Sequence, residues 1–196
     1  AGIEVECHIY RLEDPMLQPE HAGQPAEPPK VSLLAHGFNY LTELRMDEID
    51  PVFEIVRRDL TALGLPLRTM ESEFGPSQFE FTLAPTSGLQ AADNMTLFRN
   101  AVKQICHRHG YHATFMCRPG LANHFTSGWH LHQSIVDAET GENRMTPDDD
   151  GAALSDIGQA YLAGLMEHAV PATVFASPTV NGFRRFQPNS LAPNRV

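Results

Sequence analysis

The stretch SGWHLHQS, Ser127 to Ser134, sets two imidazoles two residues apart among β-favouring neighbours. Side chains along a strand alternate faces, so residues two apart share one. The spacing predicts a strand with His130, His132 and Ser134 on one face and Trp129, Leu131 and Gln133 on the other. Buried polar groups need partners, so such a row is either open to solvent or built to hold something. The stretch IEVEC, residues 3–7, repeats the logic with carboxylates. Glu4 and Glu6 share a face, while Ile3, Val5 and Cys7 take the other. A further acidic pair lies in ESEFGPSQFE, residues 71–80, where Glu73 ends one strand and Glu80 lies in the next. Gly75 and Pro76 turn the chain between them. Each pair alone is ordinary on an exposed edge strand. Three such elements, each flanked by apolar residues, are harder to dismiss together. Glutamates with one or two histidines suit a hard divalent cation such as Mg²⁺ or Mn²⁺. Zinc suits them less, because no cysteine cluster or closely spaced histidine set supports a tetrahedral site.

The bulk numbers argue against a binder of anionic polymers. The 196 residues are 42% hydrophobic, enough for one globular domain with a sizeable core. Fourteen Lys and Arg stand against 24 Asp and Glu, a net charge of -10, which argues against nucleic acid or an anionic membrane as the main partner. No apolar run of about 18 residues marks a membrane span, and no signal peptide is expected. Cys7, Cys106 and Cys117 lack CxxC spacing and read as reduced thiols of a cytoplasmic protein.

AGIEVECHIY reads as a strand, and residues 13–30, with five of the 15 prolines, read as a surface loop. KVSLLAHG is a short strand. Val52, Val56, Leu60 and Leu63 predict a helix over 47–63 that Gly64 stops. LRTMESEF and QFEFTLA are strands. Phe98, Ala101, Val102 and Ile105 give the apolar stripe of a helix over 87–109, with Ser87 as cap and Gly110 as stop. YHATFMC and WHLHQSIVDA are strands, the latter running into a turn at ETGEN. A last helix, 155–168, is capped by Ser155, with Pro171 beyond its end. The class expected is α+β: a curved, mainly antiparallel sheet with helices packed on one side.

The order E-x-E, E-x-G-P-x-Q-x-E, A-T-F-M-x-x-P, S-G-x-H-x-H-x-S and N-x-x-R-R-x-x-P-x-x-x-A-P resembles the catalytic domain of the glutamine synthetase superfamily. Here these are EVE (4–6), EFGPSQFE (73–80), ATFMCRP (113–119), SGWHLHQS (127–134) and NGFRRFQPNSLAP (181–193). The resemblance implies a funnel of antiparallel strands holding two or more Mg²⁺ or Mn²⁺ ions, with ATP as a substrate. By match, Glu6, Glu73 and Glu80 would bind one ion, and Glu4 and His130 a second beside the ATP phosphates. His132 and Ser134 would help hold the nucleotide. Arg185 would act in catalysis by pairing with the substrate's α-carboxylate through its planar fork. The reaction implied is phosphorylation of glutamate's γ-carboxylate by ATP, then displacement of phosphate by an amine.

Two departures bear on the nucleophile. Glutamine synthetases proper carry an Asn-Gly pair at the glutamate site, where this chain has Phe125 and Thr126. Their P-G-x-E-A-P loop reads PNSLAP here, with Leu191 in place of the glutamate that attracts and deprotonates ammonium. An apolar residue there favours a larger organic amine. The resemblance therefore points to γ-glutamyl-amide or polyamine-type ligases before glutamine synthetase proper. Ammonia ligation and a non-catalytic relative with a binding or structural role remain the alternatives. Residues 1–196 are expected to be part of the catalytic domain, without the N-terminal β-grasp domain and the C-terminal remainder. The piece alone is expected to be inactive, while full-length relatives form rings.

Overall fold

The structure, a computed structural model, describes residues 1–148 and 151–186. Strand β1, Gly2–Asp14, is its spine. Along one edge of β1 lie β6, Trp129–His132, and then β5, Tyr111–Thr114. Along the other lie β4, Gln78–Leu83, and then β2, Lys30–Leu33. Strand β3, Leu67–Ser72, pairs with the outer edge of β4. Every pairing is antiparallel. Four of the five other strands thus hang on one sequence, AGIEVECHIYRLED, which alternates strictly enough to serve two faces.

Val5, Cys7 and Ile9 point to one face of β1, and Phe79, Phe81 and Leu83 join them from β4. Helix α1, Glu43–Ala62, covers that face with Ile49, Val52, Phe53, Val56 and Leu60. Helix α2, Gly88–Arg108, lies beside it and contributes Met95, Phe98, Ala101, Val102 and Ile105. Each buried Val, Leu, Ile, Met or Phe among them is worth about 1.5–3 kcal/mol relative to exposure. Phe53 meets Phe79 and Phe81, and Phe81 meets Phe98, with ring planes tilted 63–69° in edge-to-face contact. Helices α1 and α2 both cover this side, which leaves the even-numbered face of β1 for the polar residues.

The α+β class and the expected helices hold, with differences at their ends. Helix α1 begins at Glu43, before residue 47. Its first turn is anchored by buried Arg45, which donates to the carbonyls of His36 and Gly37, so apolar periodicity could not reveal it. Leu63 is half exposed and caps the helix rather than extending its stripe. Gly64 and Gly110 do follow α1 and α2 with φ of 77° and 78°, the left-handed step that stops a helix. Strand β1 extends to Asp14, and a 3-10 turn, Pro19–His21, interrupts the proline-rich loop. Ser155 caps α3, Asp156–Glu167, by accepting from the Gly158 N–H. Pro171 lies beyond the end of α3, as expected, and in the first turn of a further helix, α4, Ala169–Ala176, where a missing N–H costs little. Ser87 precedes α2 without a side-chain cap bond. Cys7, Cys106 and Cys117 are free thiols. Among the described residues, no helix is long and apolar enough to cross a membrane.

Candidate active site

The cross-strand register builds the polar face. Glu4 of β1 stands opposite His130 of β6, and Glu6 stands opposite Glu80 of β4. Glu80 in turn stands opposite Glu71 of β3. Glu73, just past β3, completes a row of carboxylates. The alternation read from the sequence therefore brings Glu4, Glu6, Glu73, Glu80 and His130 to one face. The carboxylate of Glu4 bridges two imidazoles: His130 through Nδ1, and His132 through Nε2 at 2.9 Å. The two histidines do share a face, as their spacing requires.

The expected strand over 129–138 ends at His132. The ladder is used up at the pair Gly2 and His132, so Gln133 and Ser134 continue as exposed, irregular chain. Ser134 is thus not aligned with the histidines on a common strand face. Strand β5 likewise stops at Thr114, short of Cys117.

The charges are poorly compensated. Burial raises the pKa of Glu80 to about 7, and Glu4, Glu73, Glu6 and Glu71 push in the same direction. Burial also raises Glu73, against a backbone hydrogen bond from Phe74, with Glu4 and Glu71 adding to the rise. Glu6 is raised by burial and by Glu73, against the N–H of Gly128. Only Glu4 falls below its ordinary value, because hydrogen bonds from His130 and His132 outweigh its burial. Carboxylate oxygens held close enough to raise one another's pKa fit a hard divalent cation in chemistry. Among the described residues, no three His, Cys, Asp or Glu side chains already stand as a closed cage. Glu4 is instead engaged by its two histidines.

Arg185 comes to this face from beyond a 3-10 turn, Gly182–Arg184. Its Nη2 lies 3.5 Å from His130 Nε2, and its charge opposes the rise of Glu6. Phe125 and Thr126 lie on the segment leading into β6. Thr126 is buried, and its carbonyl accepts from the Gln78 amide at 3.0 Å. Leu191 lies outside the described residues.

Four residues escaped the residue-by-residue reading. Glu71 adds a carboxylate, and alternation with Glu73 was its signal. Gln78, fully buried in β4, donates to Glu6 Oε2 at 3.2 Å and to Ser127 Oγ at 3.0 Å. Its signal was the lone amide in the GPSQFE turn. His8 and Tyr10 continue the row begun by Glu4 and Glu6. His8 is fully buried, meets Ser127 Oγ through Nδ1 at 3.3 Å, and has its pKa lowered to about 3 by burial and by His124. It is a neutral strut behind the acidic row.

A profile of the glutamine synthetase catalytic domain matches residues 1–196. The chain belongs to this family. It is 47% identical over its whole length to a γ-glutamylanilide synthase of Acinetobacter sp. It is 36% identical, over 68% of its length, to a glutamine synthetase of Halobacterium salinarum. The crystal structure of a novel glutamine synthase homologue superposes on 97% of the chain with a TM-score of 0.74 at 21% identity, which supports the fold. The chain spans 40% of the anilide synthase, 29% of the halobacterial enzyme and 40% of the crystallised homologue.

Proposed function

We propose that the whole protein is an ATP- and divalent-metal-dependent ligase that joins the γ-carboxylate of glutamate to an organic amine. The observation that carries this reading is the carboxylate row beside Arg185, on a chain 47% identical throughout to a γ-glutamylanilide synthase. Glu6, Glu73 and Glu80 would hold one Mg²⁺ or Mn²⁺, and Glu4 with His130 another. Bound there, the ions would screen the charge of ATP and brace the phosphoryl group in transfer. His132, on the same face, is placed at the nucleotide, with Ser134 as a contact carried by the chain beyond it. Arg185 offers its fork to the α-carboxylate of glutamate, fixing which end of the substrate reaches the acidic row.

A γ-carboxylate oxygen then attacks the terminal phosphorus of ATP and ADP leaves. The amine nitrogen attacks the acyl phosphate carbon, phosphate departs, and the nitrogen loses a proton. Leu191 in place of a carboxylate removes attraction for ammonium, and the apolar surface of Leu191 and Phe125 favours a nucleophile with carbon to bury, at about 0.8 kcal/mol per CH₂. We also place the protein in the cytoplasm, as a ring-forming homo-oligomer when complete.

Phosphate release by the whole protein, with ATP, glutamate and a panel of aryl amines, alkylamines and ammonia, tests this. A higher kcat/KM for an organic amine than for ammonia is expected. Ammonia as the best nucleophile would make the protein a glutamine synthetase, the reading that the 36% identity to the halobacterial enzyme favours.

A further inference from the structure

Three phenylalanines from three loops meet beside the acidic row and outside the main core. Phe38 follows β2, Phe74 sits in the β3–β4 turn next to Glu73, and Phe125 precedes β6. Their ring centroids are 5.4 Å apart for Phe38 and Phe74, 5.3 Å for Phe74 and Phe125, and 6.3 Å for Phe38 and Phe125. Phe125 stands nearly perpendicular to both others, at 84° and 80°, so the rings form a corner rather than a stack. The loops are held to this arrangement. Asn39 N–H donates to the Phe74 carbonyl at 3.0 Å. Gly75 has no side chain to keep Phe125 away, and a β-carbon there would stand 2.8 Å from Phe125 Cβ.

The corner is open. Phe38 is 49% exposed, and Tyr40 and Leu41 extend the apolar surface at 51% and 50%. Tyr40 also marks where this surface points. Its phenol is harder to ionise, first from burial and then from Glu73, Glu80, Glu71 and Glu4, so the loop stands over the carboxylates. A loop that only needed to pack would turn such rings inward, as Phe53 and Phe81 do. Half-exposed rings at the rim of a charged face gain most when a flat apolar group completes the corner.

We propose that Phe38, Phe74, Phe125 and Tyr40 form the subsite for an aryl group on the amine nucleophile. This rests on the ligase reading above. A ring seated on Phe38 against Phe125 would direct an attached amino group toward the Glu73 side of the acidic row. An arylamine is neutral at physiological pH and gains nothing from carboxylate attraction, so ring contacts must supply its affinity. An alkylammonium has the charge but not the face to stack.

The test is kinetic, on the whole protein and its Phe38→Ala and Phe38→Leu variants, with aniline and isopropylamine as nucleophiles. Phe38 lies outside the core, and thermal melting checks that each variant folds. Aniline kcat/KM should fall about tenfold further than isopropylamine kcat/KM in Phe38→Ala, the size of one lost aromatic contact with its buried area. Phe38→Leu restores bulk but not the ring, so it should recover only part of that gap. Equal losses for the two amines, or aniline turnover unaffected by Phe38→Ala, would overturn the subsite and leave the ligase reading standing. No amide from any amine would overturn both.

Discussion

The guanidinium of Arg185 rests on Gly128. A β-carbon at position 128 would stand 2.6 Å from Arg185 Cζ. The same glycine donates its N–H to Glu6 Oε2 at 2.8 Å, while its carbonyl accepts from the Glu6 N–H at 3.0 Å. One residue without a side chain therefore sets both a carboxylate of the acidic row and the cation beside it.

Gly128→Ala should displace Arg185 without unfolding the chain, because the obstructed atoms are the far end of a flexible side chain. If Arg185 holds the α-carboxylate, losing charge-assisted hydrogen bonds of about 1.5–3 kcal/mol raises KM for glutamate roughly 10- to 100-fold. Arg185→Lys should do the same, since an ammonium cannot form the two parallel bonds. Steady-state kinetics on the whole protein reads both. Wild-type KM in either variant would remove Arg185 from the substrate.

Glu73 and Glu80 carry the strongest expectation for metal. Calorimetric titration of this chain with Mn²⁺ should show binding that Glu73→Ala and Glu80→Ala each weaken at least about tenfold, as loss of one charged ligand does. The absence of a closed cage among the described residues makes the parent affinity modest, because ordering the carboxylates opposes binding. Identical isotherms for all three proteins would dismiss the site.

The period-2 rule made this face legible because β1 pairs without a register shift from Gly2 to Leu12 and keeps its alternation there. Glu4, Glu6, His130 and His132 needed only that rule. Ser134 did not follow it, since the strand it required depends on a partner that ends at Gly2. Sequence spacing says nothing about where a ladder stops. Arg45 hid the start of α1 because its role is to satisfy loop carbonyls, a tertiary contact with no periodic trace. The Phe38, Phe74 and Phe125 corner was invisible for the same reason. Its members are far apart in sequence, and only the folded loops bring them together.

Glu80 makes the metal-free protein sensitive to pH. Its folded pKa of about 7 lies above the ordinary 4.5, chiefly through burial and then its glutamate neighbours. Between those values the folded state binds the extra proton. The Glu80 contribution to stability therefore falls as pH rises from about 4.5 to 7, and its loss is complete above that. Buried His8, neutral down to about pH 3, contributes a rise with pH over part of the same window, so the measurement is differential: in chelator, the wild type should lose melting temperature relative to Glu80→Gln as pH rises from about 4.5 to 7. Added Mg²⁺ should raise the melting temperature more at pH 8 than at pH 5. A difference between wild type and Glu80→Gln that stays flat or rises across this window would contradict the assignment.

Gln78 gives the last prediction. Its amide is fully buried and serves four groups. Nε2 lies 3.2 Å from Glu6 Oε2, 3.0 Å from the Thr126 carbonyl and 3.0 Å from Ser127 Oγ, while Oε1 accepts from the Gly75 N–H at 2.9 Å. Gln78→Met removes the donors and the acceptor at similar volume and should cost about 2 kcal/mol, the penalty for stranded buried polar groups. Gln78→Glu keeps the acceptor but sets a carboxylate against Glu6 without the donor between them. At pH 8 it should cost more than Gln78→Met, about 3 kcal/mol or above, because an unpaired buried charge is the more expensive defect. At pH 5 the new carboxyl should hold a proton, donate to Glu6 as the amide did, and close most of that gap. Urea unfolding of the three proteins at both pH values measures the difference. If Gln78→Glu is no worse than Gln78→Met at pH 8, Gln78 does not hold Glu6 in place.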